Sequence, residues 1–184
     1  MARSRIGSLA VFALLLAALS LLLAPLAIGS QASPAATRNG AQIPLSEVSR
    51  HHCHDGAYPE IRCFDDEVSR DTDAVTVVEQ GKAVGTVEKF LAPVARASSS
   101  YYVVWYEHSN YGGASYMTAF SHSDLTAIGW NDVISSFKSI NGQRPKWYDG
   151  AGYSGDTWQW AAGAWVSYVG NNANDRFSSV RNLP

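Results

Sequence analysis

Apolar and polar positions divide the 184-residue chain into stretches of different character. Residues 1–5 carry two positive charges, Arg3 and Arg5, and residues 6–29 are almost wholly apolar over 24 positions, ending in small side chains. A charged start, an apolar run and a small-residue exit predict a signal peptide over 1–32, with cleavage near Ser30-Gln31-Ala32. The run is also long enough to span a bilayer, so a retained N-terminal anchor is the alternative. Pro25 and the small residues after it favour cleavage. Residues 33–42 are small and polar and predict a linker that buries no core.

Residues 43–92 predict a small α/β segment to which the sequence assigns no role. Ile61-Arg62-Cys63-Phe64 reads as a short strand. The acidic run Asp65-Asp66-Glu67 suits a helix N-terminus and predicts a helix through Ala74. Residues 75–78 and 83–87 read as two strands about a Gln80-Gly81-Lys82 turn. Some fifty residues give only a marginal core of their own. Residues 93–100, PVARASSS, predict a second linker.

Beyond residue 100 the pattern changes. All six tryptophans and eight of the nine tyrosines lie in 101–184. Helical periodicity is absent; short aromatic and β-branched runs alternate with Gly, Asn and Ser clusters, which predicts an all-β domain with its clearest strand at 101–106. The stretch also repeats itself. Trp105-Tyr106-Glu107-His108-Ser109-Asn110-Tyr111-Gly112-Gly113 aligns with Trp147-Tyr148-Asp149-Gly150-Ala151-Gly152-Tyr153-Ser154-Gly155 at an offset of 42. Two runs of the form N-D-x-x-S-S, residues 131–136 and 174–179, follow at an offset of 43. A repeat of this length holds four short strands, enough for one Greek key, and two keys can cover each other's apolar faces as a sandwich.

Charge and cysteine content narrow the class. Without the leader's two arginines the chain holds 12 Lys+Arg against 16 Asp+Glu, mildly acidic and without a basic patch, which argues against nucleic acid as a partner. The two cysteines, Cys53 and Cys63, read as one disulfide in an exported protein; two free thiols are the alternative in a reducing compartment. His51-His52-Cys53-His54-Asp55 has ligand types that suit zinc or copper, but adjacent residues seldom converge on one ion. No P-loop, H-E-x-x-H, G-x-G-x-x-G or EF-hand pattern occurs, and Gly152-Tyr153-Ser154-Gly155 is one residue short of a nucleophile elbow. His108 and His122 read as surface or loop residues. Nothing assembles a catalytic set, so no catalytic residue is assigned. The N-D-x-x-S-S runs each supply carboxylate, amide and hydroxyl oxygens, the donors a hard cation takes. Ordinary Asx and Ser turns without metal are the other reading.

An aromatic residue, six positions, then Gly occurs twice, as Tyr106…Gly113 and Tyr148…Gly155, each followed by its N-D-x-x-S-S run. On these motifs residues 101–184 resemble a βγ-crystallin domain of the microbial Ca²⁺-binding type. The resemblance implies an all-β fold of two packed Greek keys, with Tyr106, Gly113, Tyr148 and Gly155 as structural hairpin residues. The rival reading of these aromatics is a carbohydrate platform. The resemblance further implies Ca²⁺ ligands drawn from Asn131, Asp132, Ile134 and Ser135 in one loop and Asn174, Asp175, Phe177 and Ser178 in the other. One site would take the Glu107 carbonyl with Asp132 and Ser178, the other the Asp149 carbonyl with Asp175 and Ser135; carbonyls near Ile134 and Phe177 would add ligands. Ser136 and Ser179 are expected to bond the backbone. Arg176 would weaken a cation site if it pointed inward. The implied function is an exported, non-enzymatic Ca²⁺-binding protein, secreted or extracytoplasmic, whose metal stabilises the paired keys. An extracellular protein or cell-surface partner is implied by two alternatives: a metallopeptidase inhibitor or killer-toxin-like protein of this fold, and a cell-envelope structural protein. Membrane contact is expected only if the leader stays uncleaved.

Overall fold

Eleven strands and one long helix are seen in the computed structural model, which describes residues 33–84 and 102–183. The leader, the linker at 93–100 and residues 85–92 of the α/β segment lie outside the described residues. The repeat builds the centre. β5 (Tyr102–His108) pairs antiparallel with β6 (Gly112–Thr118) and with β7 (Ser136–Ile140). In the second copy β8 (Arg144–Gly150) pairs with β9 (Ser154–Gln159) and with β11 (Ser179–Leu183). Each copy lends one piece to the other's sheet. β10 (Trp165–Val166), from the second repeat, adds to β7 of the first, and His122, from the first, bridges Val180 of the second. This exchange locks the two Greek keys into one sandwich.

Trp105 and its repeat partner Trp147 meet between the layers, ring centroids 5.6 Å apart. Phe177 stacks on Trp147 at 4.7 Å and Tyr116 on Trp105 at 5.1 Å. These rings are fully buried together with Trp130, Phe137, Ile134 and Val180. Six tryptophans in so short a stretch are thus mostly core, since aromatic rings supply large buried area per residue.

The segment before the repeat departs from expectation. Residues 33–42 are not a tether: β1 (Ala35–Arg38) and β2 (Ala41–Ile43) pair antiparallel, and β1 runs parallel to β4 (Glu60–Phe64). β3 (His52–Ala57) pairs antiparallel with β4 and parallel with β6 of the first Greek key, so the sheet extends to eight strands in the order β10-β7-β5-β6-β3-β4-β1-β2. Ala36, Val48, Ile61 and both cysteines join the same buried cluster as the tryptophans. The described residues accordingly belong to one compact unit. Cys53 and Cys63 face each other across β3 and β4 and form the expected disulfide. The pairing removes Cys53 as a thiolate ligand. No group of three or more His, Cys, Asp or Glu side chains that could hold a metal occurs among the described residues.

The helix α1 (Glu67–Val84) starts at the acidic run, where Asp66 Oδ1 accepts the Ser69 N–H at 2.8 Å. It continues through residues 75–78, which are helical and not a strand, and through the supposed turn at Gly81. Local β-propensity of the valines loses to continuation of a helix that packs on β3 and β4. The docking surface is polar. Arg70, 2% exposed, donates from Nη1 to Ser115 Oγ on β6, and His54, 1% exposed, bonds Asp73 of α1 at 2.9 Å. On the far side Asp55, also 1% exposed, accepts from Thr118 Oγ1 at 2.8 Å and Tyr116 OH at 3.3 Å. His122 Nε2 lies 3.1 Å from the same carboxylate and its side chain is 10% exposed, so His122 is an interior residue and not a surface one. Among the described residues no helix is long and apolar enough to cross a membrane.

Candidate metal centre

Each N-D-x-x-S-S loop leads directly into the last strand of its Greek key, 131–135 into β7 and 174–178 into β11. The second residue of each sits in the left-handed region, Asp132 at φ 57° and Asp175 at φ 53°, a conformation that Asp tolerates better than most side chains. The loops face each other. Asp132 N–H donates to Phe177 O at 3.1 Å, and Asp175 N–H donates to Ile134 O at 3.3 Å. Those two carbonyls, expected to be cation ligands, each keep a second lone pair.

The first Ser of each run is nearly buried and tied to the hairpin strand. Ser135 N–H bonds Tyr106 O at 3.0 Å, and Ser178 N–H bonds Tyr148 O at 2.8 Å. Ser135 Oγ reaches Asp175 Oδ1 at 3.4 Å, which brings together hydroxyl and carboxylate from opposite loops as expected. The strand carbonyls change places relative to expectation. Glu107 follows Tyr106 and so neighbours Ser135 and Asp175, whereas Asp149 follows Tyr148 and neighbours Ser178. The cause is the backbone bond between each loop and the strand of its own repeat.

The second Ser behaves as a brace. Ser136 Oγ donates to His108 O at 2.6 Å and accepts Tyr111 N–H at 3.1 Å; Ser179 Oγ donates to Gly150 O at 2.7 Å and accepts Tyr153 N–H at 3.1 Å. These bonds hold the folded hairpins, where Tyr111 and Tyr153 have φ of 62° and 63°. Gly113 and Gly155 follow at φ 74° and 80°. A Cβ on Gly113 would lie 2.8 Å from Glu107 Oε2, and one on Gly155 would collide with Asp149 Oδ1. Glycine is required there for space as well as conformation. The ring of Tyr106 packs on Tyr111 and that of Tyr148 on Tyr153; Lys138 lies over both rings of the first pair, and in the second Lys146 lies over Tyr148 and Arg181 over Tyr153. The tyrosines are therefore hairpin caps covered by the protein's own cations.

The first Asn of each run turns its amide onto the neighbouring carboxylate: Asn131 Nδ2 and Asn174 Nδ2 each donate to the following Asp Oδ2 at 2.7 Å. Asn174 Oδ1 is left buried with no hydrogen-bond partner. A buried acceptor without a donor is costly, and a cation is one way to satisfy it. The donors gathered here are carboxylate, amide, hydroxyl and carbonyl oxygens, which fits Ca²⁺ and not a thiolate- or imidazole-seeking metal.

Arg176 is the residue whose direction the sequence left open. Its Nη2 pairs with Asp149 Oδ2 at 2.8 Å and lies 3.8 Å from Asp156 Oδ2, its Nη1 donates to Asn172 O at 2.9 Å, and its guanidinium covers the Trp158 ring at 5.1 Å. The corresponding position in the first loop is Val133.

Two interlocked Greek keys with paired hairpins and facing loops define the βγ-crystallin class. No family model matches the chain, and no curated protein matches it. Among solved structures, a double mutant of a betagamma-crystallin domain from Clostridium beijerinckii is 36% identical and covers 45% of this chain and 96% of its own, with a TM-score of 0.40. A clostrillin double mutant in complex with nickel is 32% identical over 45% of this chain and 98% of its own, with a TM-score of 0.40. A betagamma-crystallin from an archaeon is 29% identical over the same share of this chain and 98% of its own, also at TM-score 0.40. The chain belongs to the βγ-crystallin family. The matched domains account for under half of it.

Proposed function

We propose that this is an exported, non-enzymatic protein whose two Greek keys are tied together by Ca²⁺. The observation that carries the reading is the face-to-face placement of the loops, with Ser135 Oγ against Asp175 and Asn174 Oδ1 buried without a hydrogen-bond partner. One site would draw on Ser135 Oγ, the Asp175 carboxylate and the Glu107 carbonyl, the other on Ser178 Oγ, the Asp132 carboxylate and the Asp149 carbonyl. The Ile134 and Phe177 carbonyls and the Asn131 and Asn174 amides close the cage. The protein's own residues fix the oxygens; the ion supplies positive charge that relieves repulsion among them and bridges the loops. Export rests on the leader pattern and on the Cys53–Cys63 bridge, which suits an oxidising, calcium-rich exterior. Each site has one carboxylate ligand, so micromolar or weaker binding is expected, and Ca²⁺ at 100 times its Kd adds about 2.7 kcal/mol of stability.

The test is thermal denaturation with chelator and with about 1 mM Ca²⁺, a concentration typical of extracellular sites. Wild-type Tm rises with Ca²⁺, and the Asp132→Ala/Asp175→Ala double variant loses the rise. A wild-type Tm indifferent to Ca²⁺ overturns the proposal.

A further inference from the structure

The two repeats obey one pattern in nearly every hydrogen bond, so their differences stand out. At the start of the first hairpin Glu107 has a carboxylate that accepts the Ala114 N–H at 3.2 Å, and the ring nitrogen Nε2 of His108 lies 3.9 Å from it. At the start of the second, Asp149 makes the matching bond to Asp156 N–H at 2.8 Å but also carries the Arg176 guanidinium. Arg176 is not a loose surface charge. A carboxylate, a backbone carbonyl and an indole face hold it in place, with a second carboxylate nearby. It stands two residues before Ser178, on the residue whose carbonyl would complete the second site.

We propose that Arg176 is a built-in attenuator that makes the two cation sites unequal; this rests on the Ca²⁺ reading above. The site of Ser135, Asp175 and Glu107 binds first and more tightly. The site of Ser178, Asp132 and Asp149 binds later, because a fixed positive charge at its rim repels the ion and cancels the Asp149 carboxylate that would attract it. One unit charge beside a divalent ion in half-exposed surroundings is worth about tenfold in affinity. The domain then holds one calcium across a range of concentrations in which a symmetric domain would hold two. The asymmetry inverts the expectation from the loops alone: the loop that contains Arg176 supplies Asp175 to the tighter site, and Asp132 of the other loop serves the weaker one.

Calorimetric titration of the purified chain with Ca²⁺ tests this. The wild type gives two steps about tenfold apart in affinity. Asp175→Ala removes the tighter step and Asp132→Ala the weaker. Arg176→Val, which copies Val133, tightens the weaker step about tenfold and leaves the other in place, while Arg176→Lys, which keeps the charge, retains the weak step. Near-UV circular dichroism of each variant establishes that the fold is intact. Equal sites in the wild type, an Arg176→Val isotherm identical to wild type, or loss of the tighter step in Asp132→Ala would each overturn the attenuator while leaving calcium binding standing. No binding heat and no Tm shift in the wild type would overturn both.

Discussion

Asp55→Ala tests whether the N-terminal extension is welded to the first Greek key. Asp55 lies on β3, yet its partners Tyr116, Thr118 and His122 all belong to the repeat. The carboxylate is 1% exposed and Tyr116 is fully buried. Burial pushes the Tyr116 hydroxyl well above the usual phenol range, so it stays a proton donor aimed at Asp55. Removing the carboxylate strands the Tyr116 hydroxyl and takes one partner each from Thr118 and His122, which keep their mutual contact at 3.2 Å. Hydrogen bonds to a charged acceptor contribute about 1.5–3 kcal/mol each, and breaking one side of a buried charged network costs about 3–5 kcal/mol in total. We expect a loss of about 4 kcal/mol. With a urea m-value of about 2 kcal/mol/M that lowers the unfolding midpoint by about 2 M. Trp105 reports the event by fluorescence, since it stacks on Tyr116 and meets His122 edge-on at 5.8 Å. Asp65→Ala, which breaks an exposed pair with Arg38, is the control and leaves the midpoint nearly in place. A loss below about 1 kcal/mol for Asp55→Ala would refute the weld.

Two further outcomes follow from other contacts. Gly129→Ala costs about 2–3 kcal/mol, because Gly129 has φ 73° and its Cβ would lie 2.5 Å from Leu45 O of the extension, whereas Gly152→Ala, at φ 70° with open space around it, pays only the backbone strain; equal thermal shifts in the two would show that Leu45 does not press there. His54 is held below its ordinary value of 6.5 by desolvation, against the pull of Asp73; its Nδ1 accepts Gly56 N–H at 3.1 Å, so the neutral ring presents Nε2–H to Asp73. A group whose folded pKa is lowered in this way gives its full stability above pH 6.5 and loses it as pH falls through that value, when the unfolded chain takes the proton first. Comparing denaturation midpoints at about pH 7.5 and 5.5 in wild type and His54→Gln assigns the loss. The variant is needed because desolvation lowers His51 and His52 as well, and an unchanged pH slope in it would acquit His54.

The repeat was readable because duplication shows twice what physics demands once. Gly113 and Gly155, Ser136 and Ser179, and Asp132 and Asp175 occupy equivalent left-handed or braced positions, and each pair left the same residue type in the sequence. The Cys53–Cys63 bridge and the start of α1 at the acidic run were legible for equally local reasons. The extension was not. β1 and β2 are four and three residues long and bury little beyond Ala36, so no alternation betrays them. The valines at 75, 77 and 78 carried a β signal that the helix overrode. Arg70, His54 and Asp55 are polar residues in the interior, and hydropathy assigns such residues to the surface. The swapped strand carbonyls of Glu107 and Asp149 depend on which strand each loop hydrogen-bonds, which spacing does not encode. Arg176 was visible as a charge in the wrong place; its partner Asp149, 27 residues away, was not.

The parallel join of β3 to β6 sets an order of events during synthesis. Strands 52–57 and 60–64 are sequence neighbours and can zip together as soon as they emerge, because the loop to be closed is short. Their outer edge, however, waits for a template 63 residues downstream, the spacing from His52 to Ser115. Until residues 112–118 have been delivered, the edge of the hairpin and the Asp55 carboxylate have water in place of their native partners. A ribosome stalled before that point releases a fragment that cannot bury its own acid. β3 thus becomes native only after residues 112–118 arrive, and the fold couples an early hairpin to a later one.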